Sequence, residues 1–354
     1  MPRSIYVSLL VAVMTVMAGP VAATAAARPQ DLPTVIDLGP SPGSDALAVS
    51  QKGWVVGWAF RFGVTGSEQQ AFLWTPKSGM QNLGTLPGGS ASSAFAINAR
   101  GDVVGNSGAP FLWSRGEMTV LPGFEGVGEP RGINDHTHVV GRYFPNHIPP
   151  ASQHAFTWSS RDGVRDLGVG DALAINKQDQ IAGGAGAYPE LPVVWDPNSG
   201  VRYLDLPANL AQLNGVARGI NSLGDAVGTW NGWIKPPPLG PVVGGAALWT
   251  ADGVRHDLGT LPCAGPGPSS DAFGINDYQE VVGGAYGYGC GTRLSHGFLY
   301  RRGVMMDLNW VLPPGIGWTI ISANSINNRG EIVGAAMING EQHAYLMTLP
   351  RHHQ

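Results

Sequence analysis

Ala96-Ile97-Asn98-Ala99-Arg100-Gly101-Asp102-Val103-Val104-Gly105 is the stretch from which the fold of this chain can be read. An apolar run ends in Ile-Asn, a short polar turn follows, and a Val-Val-Gly triplet closes seven residues after the Asn. Ile-Asn recurs at Ile133-Asn134, Ile175-Asn176, Ile220-Asn221, Ile275-Asn276 and Ile326-Asn327, with a weaker copy at Val49-Ser50. All seven copies place a glycine seven residues on: Gly57, Gly105, Gly141, Gly183, Gly228, Gly283 and Gly334. An apolar run then ends at Trp74, Trp113, Trp158, Trp195, Trp249, Tyr300 or Met347. Eight or nine residues later stands Leu83, Leu121, Leu167, Leu204, Leu258 or Leu308. Periods of roughly 35–55 residues mark a repeat architecture.

The spacings carry the topology. Asn to Gly is fixed and Trp to Leu nearly so, whereas Gly to Trp varies from eight to 21 residues and Leu to the next Ile from eight to 18. Four antiparallel strands per unit, A to D, explain this: A–B and C–D are tight hairpins, while B–C and D–A are variable loops that all emerge on one face. The seventh unit stops after strand C, at residues 343–349, and its missing D strand is expected from Thr34-Val35-Ile36-Asp37-Leu38-Gly39, which matches Arg165-Asp166-Leu167-Gly168 and His256-Asp257-Leu258-Gly259. The expected fold is therefore all-β, a seven-bladed β-propeller of four-stranded antiparallel blades whose ring is closed by the N-terminal strand. Closure removes sheet edges that otherwise invite aggregation.

Within the unit, Asn opens a type I turn by hydrogen-bonding its own backbone, and Gly101, Gly224 and Gly330 accept the left-handed fourth position. Thr137, Asp179 and Gln279 stand there in three other units, so those turns must accept strain or take another form. A glycine inside strand B points to a bulge or to a close backbone approach from the next sheet. Consecutive apolar residues in strand C, as in Phe111-Leu112-Trp113, are those of a strand buried on both faces.

Residues 1–27 read as a secretory signal: Arg3, an apolar run from Tyr6 to Met17, and Ala25-Ala26-Ala27 before Arg28. Residues 28–350 then form the repeat domain and 351–354 a tail. With 52 glycines, 28 prolines and 13% charged residues, the chain is turn-rich and not disordered. A net charge of −4 without a basic run excludes a nucleic-acid footprint. The mature chain is expected to be secreted, periplasmic or extracellular, without a membrane span, and monomeric. Cys263 and Cys290 fall in loops of adjacent units on one face and are expected to form a disulfide in an oxidising compartment.

His154-Ala155-Phe156, with the variants His296-Gly297-Phe298 and His343-Ala344-Tyr345, gives the chain a family likeness. Together with the I-N-x-x-G-x-V-V-G pattern and Asp257-Leu258-Gly259-Thr260-Leu261, it resembles the extracellular HAF repeat across residues 34–349. The resemblance implies an exported repeat protein of bacterial type and no particular reaction.

No G-x-S-x-G elbow or H-E-x-x-H helix occurs in the sequence. The acids at Asn134-Asp135 and Asn276-Asp277 lack the further carboxylates a calcium loop needs. No metal, cofactor or catalytic residue is assigned. The histidines at 154, 296 and 343 share one repeat position and are expected to make structural hydrogen bonds. Aromatic side chains of the variable loops, Trp58, Tyr143, Tyr188, Trp230, Trp233, Tyr286 and Tyr288, are the candidate binding residues, set against the alternative that these rings bury one another. The expected function is a binding or scaffold module for glycans or a cell-surface protein. The alternative is a carbohydrate-active enzyme, a glycoside hydrolase or lyase, using Asp45, Glu129, Asp171 and Asp271, which precede four A strands near the central opening.

Overall fold

The computed structural model describes residues 33–39, 43–60, 68–124, 127–145, 153–187, 189–234, 242–262, 269–289 and 292–349. Cys263, Cys290 and Tyr188 lie outside them, as do residues 1–32 and 350–354. The described chain is antiparallel β-sheet with one 3-10 turn, Leu308–Val311. After β1 (Thr34–Asp37), the first sheet is β2 (Ser44–Val49), β3 (Val55–Phe60), β4 (Gln69–Thr75) and β5 (Gly79–Gly84). The second is β6 (Ser93–Ile97), β7 (Val103–Asn106), β8 (Pro110–Ser114) and β9 (Glu117–Val120).

Units three and four share one long strand. Their sheet runs β10 (Val127–Ile133), β11 (Val139–Phe144), β12 (His154–Ser159), β13 (Gly163–Ile175), β14 (Ile181–Ala185), β15 (Leu191–Asp196) and β16 (Gly200–Tyr203). β13 is strand D of one unit and strand A of the next, because only eight residues separate Leu167 from Ile175. Gly168 and Gly170 (φ 95° and 147°) supply the redirection between the two pairings.

Two more four-stranded sheets follow. The fifth unit has β17 (Leu210–Ile220), β18 (Ala226–Ile234), β19 (Val242–Trp249) and β20 (Arg255–Gly259). The sixth has β21 (Ser270–Ile275), β22 (Val281–Gly289), β23 (Thr292–Arg301) and β24 (Val304–Asp307). In the last unit β25 (Trp318–Ile320) and β26 (Ser325–Ile326) pair β27 (Glu331–Ile338), which pairs β28 (Glu341–Thr348). β1 pairs β28, Thr34 opposite Thr348 and Asp37 opposite Tyr345, as the sequence predicts.

The A strands of successive units touch in order, β2, β6, β10, β13, β17, β21 and β26, and β26 touches β2. Each apolar layer is shared by neighbouring sheets. Leu73 and Val56 pack with Phe111 and Trp113 of the second sheet, and Val55 and Phe72 pack with Val333 and Leu346 of the last. Trp158 and Trp249 also reach back one sheet, their indole N–H groups donating to the carbonyls of Pro122 (3.2 Å) and Asp205 (2.8 Å).

The repeated asparagine joins the sheets. Inside its turn the Oδ1 of Asn98 accepts from the amides of Arg100 and Asp102, and the other five asparagines do the same. Its Nδ2 donates to the main-chain carbonyl of the next unit's asparagine: Asn98 to Asn134, Asn134 to Asn176, Asn176 to Asn221, Asn221 to Asn276 and Asn276 to Asn327, at 3.0–3.3 Å. Asn327 continues to the carbonyl of Ser50 (2.9 Å). A second relay runs beside it: Asp135 and Asp277 accept from the amides of Ala99 and Ser222, which accounts for these acids without a metal. Thr137, Asp179 and Gln279 take the left-handed conformation (φ 62°, 61° and 58°), so these turns keep their form and accept strain.

The recurring glycine has a different origin from part of the expectation. Strand A carries a bulge opposite it in six units, between Ala46/Ala48, Ala94/Ala96, Pro130/Gly132, Ala172/Ala174, Ala217/Gly219 and Ala272/Gly274. A Cβ at Gly57, Gly105, Gly141, Gly183, Gly228 or Gly283 would overlap a carbonyl oxygen of that strand. The close approach therefore comes from within the sheet, not from the next one. On the other side Gly105, Gly141 and Gly283 are crossed by the rings of Phe111, Phe156 and Phe298, their partners on strand C. The histidines before Phe156, Phe298 and Tyr345 clasp strand D: His154 Nδ1 meets Asp166 (2.8 Å), His296 meets Asp307 (2.7 Å) and His343 meets Asp37 of β1 (3.0 Å).

Ser50 is the one member of the relay without a side-chain amide. Ser50→Asn should supply the missing donor to Asn98 and stabilise by about 0.5–1.5 kcal/mol, while Asn221→Ser should cost about 1–3 kcal/mol by stranding buried partners. Denaturant midpoints measure both. Equal midpoints for wild type and Asn221→Ser would mean that the relay does not hold the sheets.

Candidate functional site

The residue just before each bulge pair stands on one rung of the first strands. Asp45, Glu129, Asp171 and Asp271 occupy it in four units, opposite Trp58, Arg142, Gly184 and Gly284. The sequence thus placed these carboxylates on a common level, but they do not share one set of partners. Asp45 accepts from Asn324 of the last sheet (2.9 Å), and Asp271 accepts from Thr229 of the fifth. Burial pushes the Asp45 carboxyl up to about 7, against the hydrogen bond from Asn324.

Glu129 and Asp171 are joined by Arg142. Its guanidinium lies 2.6 Å from Glu129 Oε2 and 3.3 Å from Asp171 Oδ2, linking the third and fourth units. Arg131, the bulged residue of β10, pairs with Glu129 (3.0 Å) and stacks on Phe95, the bulged residue of β6. The bulge thus does more than relieve the ladder: it turns these side chains into the space the first strands share. Arg218 and Phe273, the bulged residues of β17 and β21, repeat the stack.

Glu190 completes the cluster. Gly184 has no side chain, and the Glu190 carboxyl fills that space. It is held there by main-chain bonds, its N–H to Asn214 Oδ1 (2.9 Å) and its carbonyl to the amide of Gly215 (2.8 Å). Burial, reinforced by the charge of Asp171, pushes the Glu190 carboxyl up to about 7 although Arg218 and Arg142 oppose the shift. Burial also raises Asp171, against Arg142 and Arg131. Asp171 Oδ1, Glu190 Oε1 and Arg131 Nε are buried and have no hydrogen-bond partner among the described residues. In the sixth unit Tyr286 likewise folds over Gly284 beside Asp271, and burial raises its hydroxyl to about 12. Arginines 131, 142 and 218 facing Glu129, Asp171 and Glu190 form a mixed-charge site able to take a ligand with both hydroxyl donors and an anionic group.

The candidate aromatics do not assemble. Trp230 and Trp233 lie on β18, not in a loop, because the B and C strands of this unit extend: Trp230 faces Gly245 and Trp233 faces Val242. Trp230 is 6% exposed, donates to Asp257 Oδ1 (2.8 Å) and carries the Arg255 guanidinium on its ring, so it is a core residue. Half-buried Tyr143 packs edge-on against Phe124, His154 and Phe156, and half-buried Trp58 against Phe60. Tyr286 and Tyr288 are on β22. No ring contact joins one candidate aromatic to another among the described residues. Arg131, Arg142, Glu190 and Arg218 were not singled out by the sequence. The available signals were the doubled glycines Gly183-Gly184 and Gly283-Gly284, each of which leaves room for a side chain from further along.

No protein-family model matches the sequence, and no curated protein matches it. Among solved structures the chain is similar to virginiamycin B lyase from Staphylococcus aureus (9% identity, TM-score 0.48, covering 90% of this chain and 99% of that one). It is also similar to the β-propeller domain of the Trilobed protease from Pyrococcus furiosus (10%, 0.45, 86% and 82%) and to AofleA from Arthrobotrys oligospora (11%, 0.40, 78% and 89%). These likenesses concern the fold and carry nothing about activity.

A carboxyl whose proton is held up to about 7 when folded, against 4.5 ordinarily, binds more protons in the folded state across that window. Its contribution to stability is therefore full at low pH and is lost as pH rises through about 7. Glu190→Gln should match the wild-type melting temperature near pH 4.5 and exceed it above pH 7. A difference that does not change with pH would place Glu190 in an ordinary solvated setting.

Proposed function

We propose that this chain is an exported protein of the HAF-repeat kind, a seven-bladed propeller closed by β1, that binds an acidic, hydroxyl-rich glycan at the central opening of its loop face. The cycle of first-strand contacts and the core shared by first and last sheets support the ring. Export is argued from the apolar run and alanine-rich end of residues 1–27. Among the described residues no helix is long and apolar enough to cross a membrane.

Unmet hydrogen-bonding capacity carries the binding reading. Asp171 Oδ1 and Glu190 Oε1 are acceptors for sugar hydroxyls, and Arg131 Nε is a donor. Arg218, held over Phe273, has no hydrogen-bond or ion-pair partner among the described residues and supplies the positive charge for a uronate carboxylate. Buried polar groups are rarely left unpaired unless a ligand or solvent serves them. The aromatic loop surface is a weaker candidate, since Trp230 is committed to the core.

The raised Glu190 carboxyl favours a second reading, catalysis on the same ligand class. Glu190, protonated near neutral pH, would deliver its proton to a leaving glycosidic oxygen, with Asp171 beside it ion-paired to Arg142.

A glycan array followed by calorimetry on the mature chain tests the binding reading. Uronate-containing oligosaccharides should bind, and Arg218→Ala or Glu190→Gln should each weaken them about 10–100-fold, as expected for charged hydrogen bonds. Melting temperatures should stay within a few degrees. Glycan binding untouched by either substitution would move the site elsewhere, and turnover abolished in Glu190→Gln would select the catalytic reading.

A further inference from the structure

The face opposite the mixed-charge site carries the short A–B turns, and one adjacent pair departs from the common pattern. The residue four after the asparagine is usually an acceptor for that asparagine's own Nδ2: Asp102 (2.9 Å), Gln180 (2.8 Å), Asp225 (3.0 Å) and Glu280 (2.7 Å) serve in their units. In the third unit His138 stands there. The acceptor for Asn134 is instead Asp179 of the fourth unit (2.6 Å), set at the left-handed turn position that Gly101, Gly224 and Gly330 fill elsewhere. A carboxylate is thus held in a strained backbone position, aimed at a neighbouring turn with two histidines.

We infer that His136, His138 and Asp179 form a site for a divalent transition metal of the zinc class. Asp179 Oδ1 lies 2.7 Å from His138 Nδ1 and 3.6 Å from His136 Nδ1, and the three ligand atoms fall within 4.8 Å of one another. Tetrahedral zinc with bonds of about 2.0–2.1 Å to nitrogen and oxygen spaces its ligands about 3.3 Å apart, between the two observed separations. Two imidazoles and one carboxylate match zinc, cobalt, nickel or copper, and not calcium or magnesium, which prefer all-oxygen shells. The metal takes the place of the hydrogen between His138 Nδ1 and Asp179 Oδ1, and the neutral imidazole then carries its one proton on Nε2. A cavity of about 610 Å³ beside His138 and Asp179 leaves room for water in the fourth position. The main-chain relay through Asn134 and Asn176 holds the two turns in register, so the ligands need no large rearrangement.

Calorimetry of the metal-stripped mature chain with zinc chloride is the test, with cobalt(II) added separately for its four-coordinate visible absorption. One metal per chain is expected at this site. His136→Ala removes a side chain that is 57% exposed, so it should leave the metal-free melting temperature unchanged and weaken zinc at least about tenfold. Asp179→Asn, which keeps the acceptor for Asn134, should weaken it similarly, and His256→Ala should not. The adjacent His352 and His353 are a competing pair. Zinc binding abolished by replacing them and unchanged in His136→Ala would overturn the inference, as would no zinc binding at all. In that case the His138–Asp179 contact is a hydrogen bond only.

Discussion

A hydrogen bond from one asparagine amide to the next asparagine's carbonyl is the interaction on which the rest depends. Six side chains make it, from Asn98 round to Asn327 and on to Ser50. Each is buried, so its oxygen and nitrogen must both be satisfied, and the turn geometry satisfies them by using one inside the unit and one outside. Aspartate would offer acceptors only, and serine cannot reach. The same residue therefore folds its own hairpin and fixes the angle to the next sheet.

Once the turns are fixed, the bulge and the glycine settle what faces the centre. The bulge in six of the A strands pushes a carbonyl toward strand B, which only glycine accommodates, and at Gly105, Gly141 and Gly283 the phenylalanine of strand C closes over that glycine. The bulged side chain is freed from the ladder. Where it is Leu47 or Leu173 it is one more apolar residue. Where it is Arg131 or Arg218 it brings a guanidinium to the carboxylates of Glu129, Asp171 and Glu190. Structure and proposed function thus meet in one backbone irregularity.

Much of this was legible in the sequence. Fixed Asn-to-Gly spacing gave the hairpins, and Thr34-Val35-Ile36-Asp37-Leu38-Gly39 was recognisable as a displaced D strand because Asp and Gly there make the same turn as Asp166 and Gly168 (3.0 and 2.7 Å). The histidine clasp followed from one repeat position. Side-chain contacts between units were not legible: Arg142 and Asp171 are 29 residues apart, with no periodic signal linking them. Trp230 and Trp233 were misplaced because β18, like β22, runs to nine residues, and the cue, glycines at 244 and 245 on the facing strand, lies beyond the repeat's fixed core. His136 and Asp179 escaped for the opposite reason. They sit inside the repeat, and although Asp179 stands out at its turn position, nothing in the spacing shows that it faces the histidines of the neighbouring unit.

The central proposal is that the first and last sheets close a ring; β1 lies on β28, and Asn327 and Asn324 reach Ser50 and Asp45. Removing residues 33–39 and following thermal unfolding together with light-scattering mass tests it most directly. A closed ring should lose its single cooperative transition, melt markedly lower and self-associate through the exposed edge of β28. A truncated chain that stays monomeric and melts with the parent would contradict the account.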